Sequence, residues 1–411
     1  MSPRLRFWVI ADDLTGALDT AAPFAARAWR TCVVPWPGRG PGAIATALRA
    51  AAKAHDVVVI DTASRHVAAR EAARRVRDVV AAARRSDPRG APARGFYKKI
   101  DSTLRGNVAA ELAAFRAATG VACLPLAPAF PAQGRTTRDG AVWVDGRPLS
   151  TSAAAHDALA PAVSGELARL GPPGALDVCD AHSDADLRRV ATRLDREGRL
   201  GAVVGSGGLA GAIAARFGAP PRATRRLVSG RPVLVVSGSA HPSAQVQARA
   251  LVAAGALGLV APIDPRTPLR DRHATETLAI SALQSGRPVV LASPALAAGA
   301  RITAPRAAAV AARLAAVART IVTAGPVGAV FTVGGDTTAA VVAAMGWAPL
   351  AVDGALVPGV AVVRLAARRA GSNGPAWLIT KSGAFGDPQT LRRLVRRLTS
   401  SSRSGRPATL R

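Results

Sequence analysis

The chain has 411 residues, 49 % hydrophobic and 19 % charged, which suits two globular domains and excludes a disordered polymer. Its formal charge of +28 sets 54 lysines and arginines against 26 acids. The arginines are spread along the chain, aromatics make up only 4 % and no nucleic-acid module appears, so nucleic-acid binding is excluded as the main function.

Phe7–Ala11 reads as a buried strand that ends at Asp12-Asp13, and residues 16–28 as a helix. Short apolar strands follow at Thr31–Val34, 57–60, 95–100 and 121–126, with Ala- and Arg-rich helical segments such as 68–85 between them. Strands alternating with helices imply a mainly parallel sheet covered on both faces, with ligands held beyond the carboxyl ends of the strands. Asp12-Asp13, the stretch from Asp61 to Arg65, and Lys99 to Ser102 all fall at such ends.

The third of these is the densest. Lys98-Lys99-Ile100-Asp101-Ser102-Thr103-Leu104-Arg105-Gly106-Asn107 packs two ammonium groups, a carboxylate, hydroxyls, a guanidinium and an amide into one turn before a helix over 108–118. The chain has four lysines, Lys53, Lys98, Lys99 and Lys381, in a background that otherwise uses arginine. A compact ammonium retained against that bias points to a role a planar guanidinium does not fill. Neighbours on a strand face opposite ways, so Lys99, in phase with Asp101, is expected to face the ligand and Lys98 to be a neighbour or ion-pair partner.

Residues 127–148 read as a long binding loop with a tight hairpin turn at Asp145-Gly146. Alternation resumes over 184–198, 202–204 and 209–217, and the Pro- and Arg-rich stretch 219–232 reads as a linker. Past it, strands are expected at 233–236, 288–291, Ala329–Val333, 360–363 and 377–380, and 400–411 as a disordered basic tail. The expected domains are 1–221 and 222–399, each a mainly parallel α/β sheet flanked by helices, with a ligand cleft between them.

Three strand-to-glycine turns mark the second half: Ser237-Gly238-Ser239, Gly334-Gly335-Asp336-Thr337-Thr338 and Lys381-Ser382-Gly383-Ala384-Phe385-Gly386. Paired glycines admit a ligand to the backbone, and a helix N-terminus offers free N–H groups, so a nucleotide phosphate is the expected guest. Asp336, Thr337 and Thr338 serve either as helix caps or as phosphate contacts. No Walker A, dinucleotide or protein-kinase motif occurs.

Cys32, Cys123 and Cys179 give neither a disulfide framework nor metal spacing, and His55, His66, His156, His182 and His273 form no metal pattern. The apolar run at Phe7–Ala11 is too short for a signal sequence, and Arg313 interrupts the alanine-rich 307–318, so a cytoplasmic protein with no membrane span is expected.

Together, Ala11-Asp12-Asp13-Leu14-Thr15-Gly16-Ala17, the turn beginning at Lys98, Pro128-Ala129-Phe130-Pro131-Ala132-Gln133-Gly134, Gly334-Gly335-Asp336-Thr337 and Lys381-Ser382-Gly383-Ala384-Phe385-Gly386 resemble the four-carbon acid sugar kinases, nearly end to end and in order. These are the D-threonate, D-erythronate and 3-oxo-tetronate kinases. The resemblance implies an N-terminal acid-sugar domain, a C-terminal nucleotide domain, and ATP phosphorylating the terminal hydroxyl of a small anionic acid. It implies substrate contacts at Asp12, Arg65, Lys99, Ile100, Asp101 and Ser102, to which Arg105 is added. It implies ATP contacts at Ser239, Gly334, Gly335, Asp336, Thr337 and Gly383, with His241 and Lys381 added beside them.

Two positions depart from the family pattern. Asp336 stands where Glu is common, and Ala240-His241 where Cys-Ser is common. Phosphoryl transfer needs an oriented hydroxyl, a proton acceptor and charge neutralisation. Asp12, Asp13 and Asp101 are the acceptor candidates, Asp13 alternatively capping the first helix, and Mg²⁺ with Lys or Arg supplies the charge. Lys381 either touches phosphate or lies in a cap or on the surface. A kinase of a glycerate-like acid and a non-catalytic sugar-acid sensor are the competing readings, and self-association into a homodimer is open.

Overall fold

Phe7–Ala11 is buried at every position, as a parallel strand covered by helices on both faces requires. The computed structural model describes residues 6–36, 41–86, 93–152, 155, 162, 164–221, 231–261, 264, 269–294, 303–365 and 374–399. The basic tail and most of the expected linker lie outside these residues.

The first half runs β1 (Phe7–Ala11), α1 (Leu14–Ala26), β2 (Thr31–Val34), α2 (Pro41–Ala54), β3 (Val57–Asp61), α3 (Ala69–Ser86), β4 (Gly95–Lys99), α4 (Val108–Thr119), β5 (Leu124–Ala127), β6 (Arg135–Arg138), β7 (Ala141–Val144), β8 (Arg147–Pro148), β9 (Leu176–Val178), α5 (Asp184–Arg196), β10 (Ala202–Gly205) and α6 (Gly207–Phe217). The second runs β11 (Val233–Ser237), α7 (Pro242–Ala253), β12 (Leu257–Val260), α8 (Leu269–Gln284), β13 (Val289–Ala292), α9 (Ala304–Ala324), β14 (Ala329–Val333), α10 (Gly335–Met345), β15 (Leu350–Val357), β16 (Val360–Arg364), β17 (Trp377–Lys381) and α11 (Thr390–Thr399). The mixed α/β class with mainly parallel pairing is as expected.

The chain forms two units. One holds Met1–Ala223 with Ala298–Ala309 and Gly346–Arg364; the other holds Thr224–Ala297, Val310–Met345 and Leu365–Arg411. The β15–β16 hairpin thus belongs with the first half of the chain, although it falls inside the stretch expected to form one C-terminal domain.

In the first unit the strand order is β16-β15-β2-β3-β1-β4-β10-β5-β9. From β2 onward the pairs are parallel, whereas β15 runs antiparallel to both β2 and β16. Ala11 pairs with Asp61 and Ile10 with Lys98, so β1, β3 and β4 end level with one another. That register brings their trailing loops to one edge. Trp8, Ile10, Val58, Ile60, Phe115, Leu126 and Val204 form the core beneath it, each such side chain contributing about 1.5–3 kcal/mol on burial.

Two differences from the sequence reading have local causes. The strand expected at 121–126 begins at Leu124, because Gly120 closes α4 in the left-handed region and the chain must first leave the helix. The long loop carries a three-stranded antiparallel sheet, β6-β7-β8. Both its turns are Asp-Gly, Asp139-Gly140 and Asp145-Gly146, all four residues at φ between 49° and 78°, as type I′ turns need. Only the second of these turns was read from the sequence.

The second unit orders its strands β12-β13-β11-β14-β17, all parallel. Ser237, Val333 and Lys381 stand side by side, so β11, β14 and β17 also end at one level. Helix α9 is long and apolar enough, with mean hydropathy 1.5, to meet the length and composition of a membrane span. It is the crossover from β13 to β14, burying Leu314, Val317, Ile321 and Val322.

Candidate active site

The loops after β1, β3 and β4 meet around one guanidinium. Arg65 donates from Nε to Asp12 Oδ2 at 2.7 Å and from Nη2 to Asp12 Oδ1 at 3.1 Å. It also donates from Nη1 and Nη2 to the two oxygens of Asp13, at 2.8 and 2.9 Å. The family resemblance implies a substrate contact at Arg65, whose planar fork would also suit a substrate carboxylate. The structure gives it to two aspartates of the protein, leaving Arg65 an organiser of carboxylates.

Asp13 also caps α1, its Oδ1 accepting from Gly16 N at 2.9 Å. The sequence set this cap against a role as proton acceptor; the structure has Asp13 in the cap and in an ion pair with Arg65. Asp101 is held in the same manner as Asp12: Arg105 donates to it from Nε at 2.9 Å and Nη2 at 3.0 Å, and Thr103 adds its N–H and hydroxyl. Desolvation opposes ionisation of Asp12 and Asp101, yet Arg65 and Lys99 beside the first, and Arg105 and Arg65 beside the second, hold both below the ordinary carboxylate value. Asp13, with burial and Asp12 against it, is held above.

The turns that present these groups are strained. Ala63 and Leu104 take φ of 47° and 57°, a region non-glycine residues seldom occupy. Ala63 N–H reaches back to Asp61 Oδ1 at 2.8 Å, and Asn107 Nδ2 binds the carbonyls of Ser64 and Val67. Gly106, at φ 91°, lies where a β-carbon would stand 3.3 Å from Arg65 Cγ and 3.4 Å from Asp12 Oδ2. The second loop therefore closes directly on the Asp12–Arg65 pair.

Adjacent lysines have opposite fates. Lys98 is fully buried and pairs with Glu111 of α4 at 2.7 Å, while Glu111 also accepts from Ser64. Lys99 is 4 % exposed, and among the described residues its Nζ has neither a hydrogen bond nor an ion pair within 4 Å. It lies in the field of Asp12, Asp13 and Asp101 but touches none of them. An ammonium on a residue this buried, with no acceptor among the described residues, suits an anionic ligand. Ile100 is different. Its side chain is in the core and its N–H is bonded to Gly205 O, which leaves its carbonyl for a ligand. Ser102 is half-buried on the turn.

Four groups here were given no individual role from the sequence, although Asp61 opens one of the polar strand ends and Thr15 lies in the first motif. Asp61 is buried, and that burial pushes its carboxyl up to about 7. Burial pushes half-buried Asp19, on α1, up to about 6. Thr15 Oγ1 is buried with no partner. Arg135, on β6, has its Nε buried without an acceptor and stands in the field of Asp101 and Arg105. The usable signal was the spacing of Asp13, Gly16 and Asp19, three apart on one helical face.

In the second unit the three glycine turns meet. A β-carbon on Gly238 would lie 2.4 Å from Thr337 Oγ1, one on Gly383 2.0 Å from Ser239 Oγ, and one on Gly334 3.2 Å from Ser239 Cβ. Gly334 takes φ 107° and opens onto α10, whose first turn carries Gly335 and the exposed Asp336. Thr338 is committed internally to Gly334 O and Thr332, whereas Thr337 Oγ1 faces the turns. Ser239, between all three, accepts from His241 N, and His241 caps α7 through Nδ1 from Ser243 N at 3.2 Å. That cap accounts for the departed motif position.

Lys381 is fully buried, burial pushes it down to about 8, and it donates to the carbonyls of Ser382 and Phe385 at 2.9 Å. Gln247 holds the same loop through Phe385 and Gly386. Lys381 is thus neither a surface group nor a cap; it braces the loop that carries Gly383. Close glycine turns at the ends of three parallel strands, one opening a helix, have the geometry that suits a phosphate.

Among the described residues, no group of three or more His, Cys, Asp or Glu could hold a metal ion. Mg²⁺ binds mainly through nucleotide phosphates and water with one or two protein oxygens, and the exposed carboxylate of Asp336, in the first turn of α10 beside the glycine turns, is a donor of the type it takes.

Comparison with known proteins divides the chain along the same functional line. Residues 7–171 match a sugar-binding N-terminal domain family, and residues 234–391 a nucleotide-binding C-terminal domain family. A D-threonate kinase of Bordetella bronchiseptica is 34 % identical over 405 residues, covering 93 % of this chain and 95 % of that protein. A 3-oxo-tetronate kinase of Methylobacterium radiotolerans is 31 % identical, covering 92 % and 95 %. In fold, the chain is similar to a solved Haemophilus influenzae protein at TM-score 0.67 and 21 % identity, covering 96 % of this chain and all of that one.

Proposed function

We infer the specifics of the reaction from the premise that this chain belongs to the four-carbon acid sugar kinase family. It is an ATP-dependent kinase of a four-carbon sugar acid. The acid occupies the Asp12–Lys99–Asp101 site of the first unit, and ATP the glycine turns of the second. The observation that carries this assignment is Lys99, a buried residue whose ammonium has no partner among the described residues and lies in the field of Asp12, Asp13 and Asp101.

In this reading Lys99 takes the substrate carboxylate. Asp12 and Asp101, kept ionised by guanidinium groups, accept hydrogen bonds from the substrate hydroxyls. Arg65 and Arg105 work through those two aspartates, and the Ile100 carbonyl and Ser102 complete the turn. Anchoring the carboxylate at Lys99 leaves the hydroxyl at the far end of the four-carbon chain as the acceptor of phosphate. Ser239, Gly334, Gly335, Thr337 and Gly383 hold the ATP phosphates, and Asp336 contributes an oxygen to Mg²⁺. Bound there, Mg²⁺ neutralises charge on the phosphates during transfer.

Phosphorus NMR of the product tests the regiochemistry. A phosphate on the terminal carbon couples to two protons and gives a triplet. A doublet, from a phosphate on a secondary carbon, would sink this placement of the substrate.

A further inference from the structure

Phosphoryl transfer to an alcohol must place the hydroxyl proton somewhere, and the carboxylates around Lys99 are not equivalent. Asp12 and Asp13 share the Arg65 guanidinium, and Asp101 holds that of Arg105. Each is a hydrogen-bond acceptor fixed by a guanidinium fork, Asp13 through an Arg65 that Asp12 shares and in a helix cap besides. Asp61 is 3 % exposed and turned onto Ala63 N–H. Asp19 differs from each of the four: among the described residues it makes no ion pair, unlike Asp12, Asp13 and Asp101, and it is half-buried where Asp61 is buried.

Its position is built deliberately into three elements. On α1, Asp19 follows Asp13 and Gly16 at intervals of three, on the face that meets Lys99. Across from it, α6 begins with Gly207, where a β-carbon would stand 2.7 Å from Asp19 Oδ2. A side chain at 207 would crowd both that carboxylate and the Phe130 ring, 2.8 Å away. From the β15–β16 turn, the Gly359 backbone N–H faces Asp19 and favours its charged form. Every charged or titratable group facing it is accounted for: Asp13 on its own helix, Lys99 and Tyr97 on β4, and Asp101 on the turn after β4.

We propose that Asp19 is the proton acceptor for the substrate hydroxyl, resting on the kinase reading above. As the hydroxyl oxygen bonds to the γ-phosphorus of ATP, its proton passes to a carboxylate oxygen of Asp19. The bond from that phosphorus to the β,γ-bridging oxygen breaks, and ADP leaves with the electron pair. Asp19 then returns the proton to water through its exposed side. Burial, lifting the carboxyl to about 6, suits the task, since a base must be ionised at neutral pH yet basic enough to take the proton.

The test compares wild type, Asp19→Asn and Asp19→Glu by ADP release across pH 5–9, with acid and ATP affinities measured by calorimetry. The wild-type rate should fall on the acid side with a midpoint near 6. Asp19→Asn should lose about 10²–10⁴-fold in kcat while binding both ligands within threefold of wild type. Asp19→Glu should recover part of that loss. A kcat of Asp19→Asn within threefold of wild type, or loss of acid binding without an independent loss of kcat, overturns the proposal. A wild-type profile flat from pH 5 to 8 overturns it even if no variant folds. Failure of wild type to turn over any four-carbon acid would instead remove the kinase reading on which it rests.

Discussion

Gly16 leaves the space that Lys99 fills: a β-carbon on Gly16 would stand 2.9 Å from Lys99 Nζ and 2.5 Å from Asp13 Oδ1. The glycine is in the first turn of a buried helix, where it costs about 0.5–1 kcal/mol relative to alanine. The cost is tolerated because only a missing side chain lets the ammonium lie between helix and strand.

Gly16→Ala, a substitution that favours helix intrinsically, is therefore expected to abolish acid binding while ATP binding by the second unit stays within twofold. Calorimetric titration with each ligand separately checks this. Retained acid affinity would show that Lys99 does not need its place against α1.

The nucleotide cradle admits a matching substitution. Gly383→Ala would set a methyl 2.8 Å from Ser239 Cβ, a contact that rotating the hydroxyl does not relieve. The expected outcome is at least a tenfold weaker ATP affinity with unaltered acid affinity, the mirror image of Gly16→Ala.

Beneath the acid site, Lys98 and Glu111 form an ion pair that is 0 % and 2 % exposed. Removing one partner leaves the other charge buried, so Glu111→Ala should cost about 3–5 kcal/mol in denaturant unfolding. The double change Lys98→Met with Glu111→Leu should cost much less. Equal losses in the single and double variants would mean that packing, and not the charge, dominates at this position.

Asp61 gives a stability test with a definite sign. Its folded value, about 7, lies above the ordinary 3.8, so between these the folded state binds more protons than the unfolded state. Stability should fall as pH rises through that window. Asp61→Asn keeps the acceptor for Ala63 N–H and removes the charge. It should gain on the order of 1–3 kcal/mol over wild type at pH 8 and almost nothing at pH 4. Melting curves at the two pH values decide it, and an equal effect at both would exclude titration of Asp61 as the cause.

Much of this architecture was legible in the sequence because strands such as Phe7–Ala11 and Ala329–Val333 are short, wholly apolar and followed by polar or glycine turns. The family and the reaction class were legible for the same reason, since the motifs sit at those turns. What escaped reading depended on distance in the chain. β15 has an alternating burial pattern and finds its partner β2 more than 300 residues earlier, a pairing no local pattern announces. The occupation of Arg65 by Asp12 and Asp13 was hidden likewise: a guanidinium fork fits a substrate carboxylate and a protein carboxylate equally well, and only geometry distinguishes them. Asp19 was passed over because half-buried acids on helices are ordinary, and its neighbours Gly207 and Gly359 come from remote segments.

The central claim, an acid site built on Lys99 and served by ATP, is tested most directly by coupled ADP release from wild type and Lys99→Ala over the isomers of threonate, erythronate and their 3-oxo forms. Wild type should turn over at least one of these acids, and Lys99→Ala should lose that turnover while binding ATP with unaltered affinity. Turnover in Lys99→Ala equal to wild type, or ATP and acid binding in wild type without any ADP release, would contradict the account.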